Sequence, residues 1–453
     1  MAVTPFSSLE RDLRAGLAGR VVAPADQDYD AIRTIFPGGV DRHPPFIVRP
    51  RDAADVQRTV LRVRDAGVPL AIRSGGHTIH STTDEGVVID LRDLSALQVD
   101  VSSRTAWAGT GLTAAAYTQG VGAHGLVTGF GDTGSVGIGG ITLGGGIGYL
   151  TRKYGLTIDS LIAAEIVTAD GEIRHVDAQS DPDLFWAVRG GGGNFGVATR
   201  FRYALHPLER VVGGMLILPA TAAAIEAFVA EASAAPDELT VIANVMTAPP
   251  MPFIAPEHHG TLVILALMCY AGDADAGAAC LAPFRAIAPP LADMVRPMAY
   301  HEIFPPDDDS YHPTAAGKTM FADRIDRAAA DTIMEQLEVS DAPLRVTQIR
   351  ALGGAMARVD RDATAFAHRD KKLLLNVAAF YQGPDDRAAK QAWVDNLAAR
   401  LDQGSSGAYV NFLNNEPHRI GEAYPGSTGS RLRAIKAKYD PANVFRLNEN
   451  IAP

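Results

Sequence analysis

The sequence predicts an α+β fold with a glycine-rich first part and a second part in which helices cover one face of an antiparallel sheet. Amphipathic helices alternate with short apolar strands along the chain. Glycine is concentrated between positions 75 and 196, and after Pro207 the chain becomes rich in alanine and proline. These observations together favour α+β architecture over a repeat or an all-helical bundle.

Size and charge narrow the functional classes. The chain has 453 residues, which corresponds to about two or three domains at roughly 150 residues each. Hydrophobic residues make up 47% and charged residues 21%, a globular balance. The net charge of −11 repels nucleic-acid phosphates and anionic membranes. We therefore expect neither nucleic acid nor membrane as a partner.

In the first part, the order of elements is helix, strand, glycine turn, strand. Residues 53–66 have helical periodicity and end at Gly67, and residues 68–72 and 86–91 read as strands. Residues 163–168 and 172–176 form a predicted hairpin, and residues 181–188 a helix capped by Asp181. This order fits an α+β or an α/β domain that binds a cofactor.

The second part contains predicted strands at 262–267 and 373–379. Helical periodicity is found at 222–232, 328–337 and 387–401, and a last helix at 431–439 ends before Asp440-Pro441. An antiparallel sheet with helices on one face accommodates these elements. Cys269 and Cys280, the two cysteines, are too few for a zinc site or a disulfide framework, so we expect free thiols, with a redox pair as the alternative.

Two glycine segments have the composition of anion-binding loops. The first glycine segment, Ser74-Gly75-Gly76-His77, leaves a strand, and the second glycine segment covers residues 129–148, with several glycines at 134–140. Exposed backbone amides in such turns can cradle a diphosphate. Neither segment combines a preceding strand with an acidic ribose ligand at Rossmann spacing, which disfavours a nicotinamide dinucleotide fold.

The ordered motifs of the chain resemble one family. They are Arg73-Ser74-Gly75-Gly76-His77, GVVIDL at 86–91, VGIGGITLGGGIG at 136–148, YGLTID at 154–159, DLFWA at 183–187, GGGGNFGV at 190–197 and KAKYDPANVF at 436–445. They are similar to motifs of the FAD-linked oxidases of the vanillyl-alcohol oxidase superfamily, in the berberine-bridge-enzyme-like branch with 6-hydroxy-D-nicotine oxidase and flavin oxidases of bacterial antibiotic pathways.

That resemblance implies a domain organisation. Residues 1–207 would form a two-part FAD-binding domain of the PCMH type and residues 208–410 an α+β substrate-binding domain. Residues 411–453 would return to the FAD-binding domain. The resemblance also implies covalent attachment of FAD through His77. Thr133 stands where many relatives have a second, cysteine anchor, so a single bond is expected.

The cofactor contacts implied by the resemblance lie in the glycine segments and near the C-terminus. Val136 matches a position that controls access of oxygen to the reduced flavin, and a small valine there goes with oxidases; ordinary packing is the alternative. The expected FAD-binding residues are Arg73, Ser74, Gly75, Gly76, His77, Thr133, Gly134, Ser135, Val136, Gly139, Gly140, Leu143, Gly193, Asn194, Gly196, Val197, Asn443 and Asn448.

The residues on the substrate side are less distinctive. Asn376 follows His368-Arg369 at the place of the glutamate that serves some relatives as a base, and an amide cannot accept a proton in that way. Gln348 and Arg350 alternate onto one face of a strand, and Tyr409 and Asn411 are expected to share a face as well. The catalytic candidates are Tyr149, Gln348, Arg350, Asn376, Tyr409 and Asn411.

We expect an FAD-dependent oxidase that moves a hydride from a small organic substrate to FAD and then to O2, giving hydrogen peroxide. The substrate would be an alcohol, a phenol-type secondary metabolite or a cyclic amine. A carbohydrate oxidase of the same fold and a flavoprotein without turnover are the alternatives. No metal is expected. The N-terminal residues lack a signal-peptide core, so a cytoplasmic protein is expected. We expect a monomer or a homodimer.

Overall fold

The first structural unit is a small mixed sheet with helices. The structure, a computed structural model, describes residues 5–306, 308, 310–413 and 416–453. The elements of this unit are α1 (Pro5–Gly16), β1 (Arg20–Val22), α2 (Tyr29–Arg33), β2 (Phe46–Arg49), α3 (Ala53–Ala66), β3 (Leu70–Arg73) and β4 (Val87–Asp90). The strand order is β1-β2-β4-β3, and β2 and β3 run parallel to β4.

Helix α3 confirms the prediction for residues 53–66. The Asp52 side chain accepts a hydrogen bond from the backbone N–H of Asp55, which caps the first turn. Gly67 ends the helix with a φ of 67°, a left-handed conformation that glycine adopts without strain. The valines of the helix are buried against the sheet.

The second unit is an antiparallel sheet with the order β5-β6-β10-β8-β9. The strands are β5 (Leu97–Asp100), β6 (Thr105–Gly109), β7 (Leu126–Val127), β8 (Leu161–Val167), β9 (Ile173–Asp177), β10 (Val197–Ala204) and β11 (His206–Pro207), with β7 paired to β11 outside the main sheet. The helices are α4 (Ala114–Gly122), α5 (Ile138–Leu143), α6 (Thr151–Tyr154) and α7 (Pro182–Val188). The predicted hairpin is β8-β9.

Helix α7 begins as predicted, with Asp181 at the N-cap position and Pro182 as its first residue, but the side-chain cap is absent. Asp181 precedes the helix but has a φ of 59° and makes no capping hydrogen bond. Its Oδ1 instead accepts a hydrogen bond of 2.5 Å from the hydroxyl of Tyr439, near the end of the chain. A long-range partner has therefore replaced the local cap.

The third unit is an antiparallel sheet covered by helices, as expected. Its strands are β12 (Val211–Pro219), β13 (Leu239–Thr247), β14 (Leu262–Tyr270), β15 (Ala292–Asp293), β16 (Arg296–Met298), β17 (Ala315–Ala322), β18 (Arg345–Ala351) and β19 (Leu373–Phe380). The order is β15-β12-β14-β13-β18-β19-β17, with β16 beside β12. The helices are α8 (Ala222–Ala234), α9 (Ala274–Ala286), α10 (Arg327–Val339), α11 (Ala355–Arg358) and α12 (Pro384–Leu401).

The two faces of this sheet have different partners. Ile349 and Leu375 point into the core formed with α8, α10 and α12. Phe321 and Leu374 lie on the opposite face and pack in one apolar cluster with Ile147, which lies near the end of the second glycine segment. The sheet therefore lies over the glycine segments of the N-terminal part.

Ion pairs and hydrogen bonds hold the sheet in that place. Arg369 donates two hydrogen bonds, of 2.7 and 2.8 Å, to the carboxylate of Asp159. Arg152 donates to the backbone carbonyls of Ala235, at 2.6 Å, and Leu352. These groups are buried, so loss of one partner would leave the other without its hydrogen bonds.

The last helices, α13 (Ile420–Ala423) and α14 (Ser427–Tyr439), pack against the second unit. The fully buried Lys436 donates to the carbonyls of Asn194 and Phe445 and to the carboxylate of Asp440. The C-terminal residues are thus anchored beside residues 190–197, the third glycine segment. Both cysteines are free thiols; Cys269 is buried and Cys280 half-buried.

Candidate active site

The first two glycine segments touch each other backbone to backbone. A Cβ on Gly75 would lie 2.2 Å from the backbone N of Gly137, and a Cβ on Gly137 would lie 2.1 Å from the N of Gly75. The Ser74 hydroxyl donates to the carbonyl of Thr110 at 2.6 Å and accepts from the N–H of Gly139 at 3.2 Å. The two segments therefore form one continuous cradle, and only glycine permits the contact.

His77 stands at the end of this cradle. Its ring stacks on Phe36 with centroids 4.2 Å apart and an interplanar angle of 18°. Burial lowers the pKa of His77 to about 4, although a backbone contact with Ser135 works in the opposite direction. The imidazole is therefore neutral at pH 7 and keeps a nitrogen lone pair for bond formation.

The rest of the second glycine segment divides into packed and open positions. A Cβ on Gly134 would lie 3.1 Å from Ala115, so this residue is packed, whereas a Cβ on Gly140 would meet no atom within 4 Å. Thr133 is exposed, and Ser135 and Val136 are half-buried. The carbonyl of Leu143 accepts hydrogen bonds of 3.0 Å from the N–H groups of Gly190 and Gly192, which joins the second segment to the third.

Arg73 performs a structural task. Its guanidinium is buried and donates to the backbone carbonyls of Ile32, Arg33 and Ser81. Burial lowers its pKa to about 10, which still leaves it charged at pH 7. The side chain thus holds the end of β3 and the loop that follows, and its donors point into protein.

The third glycine segment binds the tail of the chain. The amide of Asn194 donates to the carbonyls of Gly191 and Glu449, and its Oδ1 accepts from the N–H of Ile451. Gly196 has a φ of 156°, and a Cβ there would lie 2.6 Å from the carbonyl oxygen of Val167 on the neighbouring strand. Val197, the next residue, is buried at the start of β10.

Asn448 reaches back to this segment from the tail. Its Nδ2 donates to the carbonyl of Gly193 at 3.2 Å. Its Oδ1 is buried, and among the described residues it has no hydrogen-bond partner; the same holds for the Oδ1 atoms of Asn443 and Asn450 and for the hydroxyl of Tyr424. Buried acceptors of this kind normally have a donor. A ligand that carries N–H or O–H groups would supply one.

A row of polar side chains crosses the face of the third sheet that points at the cradle. Asn244 on β13 is paired with Gln348 on β18, Gln348 with Asn376 on β19, and Asn376 with Thr319 on β17. Residues directly opposite one another in an antiparallel sheet share a face. The structure thus brings Gln348 and Asn376 together, and it adds Asn244 and Thr319.

A chain of hydrogen bonds runs from this row to the second glycine segment. Gln348 Nε2 donates to Asn244 Oδ1 at 2.8 Å, and Arg350 Nε donates to Gln348 Oε1 at 2.9 Å. Arg350 Nη2 then donates to Asp132 Oδ2 at 2.8 Å. The chain connects β13, β18 and the loop directly before Thr133.

The region around Tyr409 does not form the expected strand. Residues Val410–Phe412 form a 3-10 turn, so Tyr409 and Asn411 are not placed by strand alternation. The Tyr409 hydroxyl accepts hydrogen bonds from the N–H groups of Gly146 and Ile147, at 3.0 and 3.3 Å, and from Asn411 Nδ2 at 2.9 Å. Burial raises the pKa of Tyr409. Tyr409 therefore holds the glycine segment, while Asn411 remains exposed.

Tyr149 is buried in an apolar cluster with Tyr300 and Phe304. Burial raises the pKa of Tyr149, and the negative charge of Asp132 raises it further. Its hydroxyl therefore stays protonated across the neutral range, which argues against a phenolate base at this position.

Comparison with known proteins agrees with this arrangement. A family model described as FAD binding domain matches residues 44–177, and one described as berberine and berberine like matches residues 408–452. The FAD-linked oxidoreductase YgaK of Bacillus subtilis (strain 168) is 30% identical, over 96% of this chain and 97% of its own. The chain belongs to the berberine-bridge-type FAD-linked oxidoreductases.

Two further similarities support the assignment. (R)-6-hydroxynicotine oxidase of Paenarthrobacter nicotinovorans is 28% identical, over 96% of this chain and 97% of its own. The crystal structure of 6-hydroxy-D-nicotine oxidase from Arthrobacter nicotinovorans superposes with a TM-score of 0.85 at 25% identity and covers 97% of this chain and 98% of that one. The expected family and the α+β fold are confirmed, and the protein is an enzyme that uses FAD.

The residues of this FAD-linked oxidoreductase fit an FAD molecule. The open position at Gly140 leaves room beside the cradle, and the unpaired oxygens of Asn443, Asn448 and Asn450 can accept hydrogen bonds from cofactor hydroxyl or N–H groups. Among the described residues no cluster of three or more His, Cys, Asp or Glu side chains could hold a metal ion. In the same described part, no helix has the length and apolarity needed to cross a membrane.

Sequence reasoning missed several residues of the site. Asp132 had a signal, since it directly precedes Thr133, but a carboxylate in a loop is usually solvated. Asn244 and Thr319 had none, because only strand register places them beside Gln348 and Asn376. Phe36, which stacks on His77, lies far away along the chain.

Proposed function

We propose that the protein is an oxidase in which FAD is bonded covalently to His77. The observation that carries this proposal is the neutral imidazole of His77, held by Phe36 where the two glycine segments meet. A neutral ring nitrogen is the nucleophile that such a bond requires. Covalent attachment would raise the reduction potential of the flavin and so favour oxidation of demanding substrates.

The substrate in this proposal is a small organic molecule: an alcohol, a phenol-type secondary metabolite or a cyclic amine. The bound FAD would accept a hydride from the substrate and pass the electrons to O2, with hydrogen peroxide as product. The amides of Gln348 and Asn376, in the polar row on the third sheet, would orient the substrate. Asn411 would line the side of the substrate site opposite to this row. The relative named (R)-6-hydroxynicotine oxidase supports a heterocyclic amine as one candidate.

The cofactor would be held by the cradle. Ser74, Gly75, Gly76 and residues 134–140 would surround the diphosphate and the ring, although Gly139 already donates to Ser74 and so has no free N–H. Gly193, Asn443 and Asn448 would complete the enclosure from the tail side. Arg73, Asn194 and Tyr409 would act by fixing the backbone, because their polar atoms bond to protein groups.

The covalent bond is tested by denaturing the protein in acid. In the wild type, flavin absorbance and fluorescence are expected to remain with the precipitated polypeptide. In His77→Ala, any flavin should leave with the supernatant. His80→Ala is the matched control, because His80 is a neighbouring half-buried histidine paired with Glu449 at 3.2 Å. Free flavin from the wild type would refute the covalent bond.

The oxidase activity is tested by peroxide release from a panel of alcohols, phenols, cyclic amines and oligosaccharides. Peroxide from an alcohol, a phenol or a cyclic amine would support the proposal. Peroxide from oligosaccharides alone would identify a carbohydrate oxidase. Flavin that no compound reduces under anaerobic conditions would indicate a flavoprotein without turnover.

A further inference from the structure

Asp132 is the one carboxylate that the hydrogen-bond chain on the third sheet reaches. It lies between Gly131 and Thr133 in the second glycine segment, and its Oδ2 accepts the hydrogen bond from Arg350. The two residues belong to different structural units, 218 positions apart in the chain. The carboxylate therefore stands where the cradle and the polar face of the sheet meet.

The chain that holds Asp132 has a fixed direction. A guanidinium can only donate, so Gln348 must present Oε1 to Arg350 and Nε2 to Asn244. Asn244 must then present Oδ1 to Gln348, and its Nδ2 donates to the carbonyl of Leu265 at 3.1 Å. Neither amide can turn over without losing two hydrogen bonds. Arg350 is consequently held in one orientation, and so is Asp132.

Accessibility differs between the two ends of this ion pair. The Arg350 side chain is 6% exposed and its buried Nη1 has no hydrogen-bond partner among the described residues, whereas the Asp132 side chain is 17% exposed. Arg350 also lies over the ring of Phe412, with 5.2 Å between its Cζ and the ring centroid. Among the described residues, Asp132 Oδ1 accepts no hydrogen bond. The group that a ligand can reach is thus the carboxylate, and Arg350 lies behind it.

We infer that Asp132 is the proton acceptor of the oxidation and that Arg350, Gln348 and Asn244 are positioning residues that hold it. This inference rests on the proposed function. In the reaction, the O–H or N–H bond of the substrate breaks and its proton moves to Asp132 Oδ1. The neighbouring C–H bond breaks with transfer of a hydride, which reduces the bound FAD, and a C=O or C=N bond forms.

The surrounding charges agree with this assignment. In the described part of the chain, Arg350, Tyr149 and Tyr300 interact electrostatically with Asp132. Burial raises the pKa values of both tyrosines, and the charge of Asp132 raises them further, so neither competes as a base. Arg350 is already neutralised by Asp132. The site therefore selects a neutral or cationic substrate and disfavours a carboxylate.

The test compares flavin reduction by the best compound of the panel in anaerobic stopped-flow experiments. Asp132→Asn keeps an oxygen for Arg350 but cannot take up a proton, and loss of a general base lowers the rate by about 10²–10⁴-fold. Asp132→Glu should restore much of the rate. Asp395→Asn is the control, since it removes an ion pair between exposed side chains, that with Lys318, between α12 and β17. Its flavin reduction should stay close to that of the wild type.

Binding of benzoate provides a readout that does not depend on turnover. Binding is followed as the change that benzoate causes in the flavin absorbance. We expect weak binding to the wild type and binding at least about tenfold tighter to Asp132→Asn, because this variant lacks the negative charge that repels the benzoate carboxylate. Unchanged benzoate affinity together with unchanged flavin reduction in Asp132→Asn would overturn the inference and leave the ion pair as a link between units.

The outcomes separate this inference from the proposed function. Failure of every compound to reduce the wild-type flavin would refute the proposed function, and the benzoate measurement would still decide whether Asp132 faces the site. If Asp132→Asn does not retain flavin, Arg350→Gln is the second variant. This variant keeps the Asp132 carboxylate but removes the guanidinium that holds it, so flavin reduction should slow about tenfold or more. A rate equal to that of the wild type would contradict the positioning role of Arg350.

Discussion

Replacing Gly137 by alanine tests the contact between the two glycine segments. The φ of Gly137 is −70°, which alanine adopts freely, so the effect is steric. The added Cβ would lie 2.1 Å from the backbone N of Gly75 and 2.2 Å from the Ser74 hydroxyl. The loops must separate, and the two hydrogen bonds of Ser74, to Thr110 and from Gly139, would be lost or lengthened.

The cost follows from these contacts. Overpacking by one carbon costs about 1–3 kcal/mol, and each hydrogen bond contributes about 0.5–1.5 kcal/mol. We expect the free energy of unfolding to fall by about 2–6 kcal/mol, and flavin loading to fall as well because the cradle opens. The measurements are the thermal midpoint and the ratio of flavin to protein absorbance after purification.

Two matched variants sharpen this test. Gly75→Ala should have a similar effect, since its Cβ would lie 2.2 Å from the N of Gly137. In the double variant, the loss of unfolding free energy should be smaller than the sum of the losses in the two single variants, because one separation of the loops relieves both clashes. Gly140→Ala meets no protein atom within 4 Å and should keep the thermal midpoint of the flavin-free protein. Wild-type stability and flavin loading in Gly137→Ala would refute the reasoning.

Further predictions concern the flavin and acid stability. Val136→Leu should slow reoxidation of reduced flavin by O2 about tenfold, equivalent to about 1.4 kcal/mol, but not flavin reduction; equal reoxidation traces would contradict the oxygen route. Peptide mapping should find one flavin-modified peptide, containing His77, and Thr133→Cys tests whether a second bond can form; a second modified peptide in the wild type would refute single attachment. Burial lowers the pKa of His368 to about 4, so the folded protein favours the neutral imidazole. The free energy of unfolding should therefore be highest above about pH 6.5 and should fall by up to about 3 kcal/mol as the pH decreases towards 4. The unfolding midpoint of His368→Asn should show a shallower decline over this range.

Local sequence signals predicted the regular elements well. Helix α3 has the predicted bounds, because Asp52 and Gly67 carry its start and end within a few residues of the helix itself. Three helices of the third unit, α8, α10 and α12, were also predicted from their apolar positions, whereas α9 and α11 were not predicted. The start of α7 was predicted, but its capping hydrogen bond is absent, and the strand expected around Tyr409 was wrong. In both places a partner far along the chain, Tyr439 for one and the amides of Gly146 and Ile147 for the other, outcompetes the local preference.

The residues of the candidate site also differ in how far the sequence alone predicts their roles. Glycine segments and His77 are visible in the sequence because a close backbone contact admits few residue types. The roles of Arg73 and Asn194 could not be predicted, because the residue type alone does not show whether a polar side chain bonds to a cofactor or to a buried carbonyl. Only the structure shows that their atoms are occupied by protein groups.

The sequence by itself determined the family, the cofactor and the order of the elements, because these depend on motifs and periodicities that extend over short stretches of chain. The tertiary structure decided which side chains meet. Strand register aligned Asn244, Gln348 and Asn376, and the packing of two units placed Arg350 against Asp132. Register and domain packing arise from contacts between residues far apart in the chain, 104 positions for Asn244 and Gln348 and 218 for Arg350 and Asp132, and no local pattern encodes such a distance.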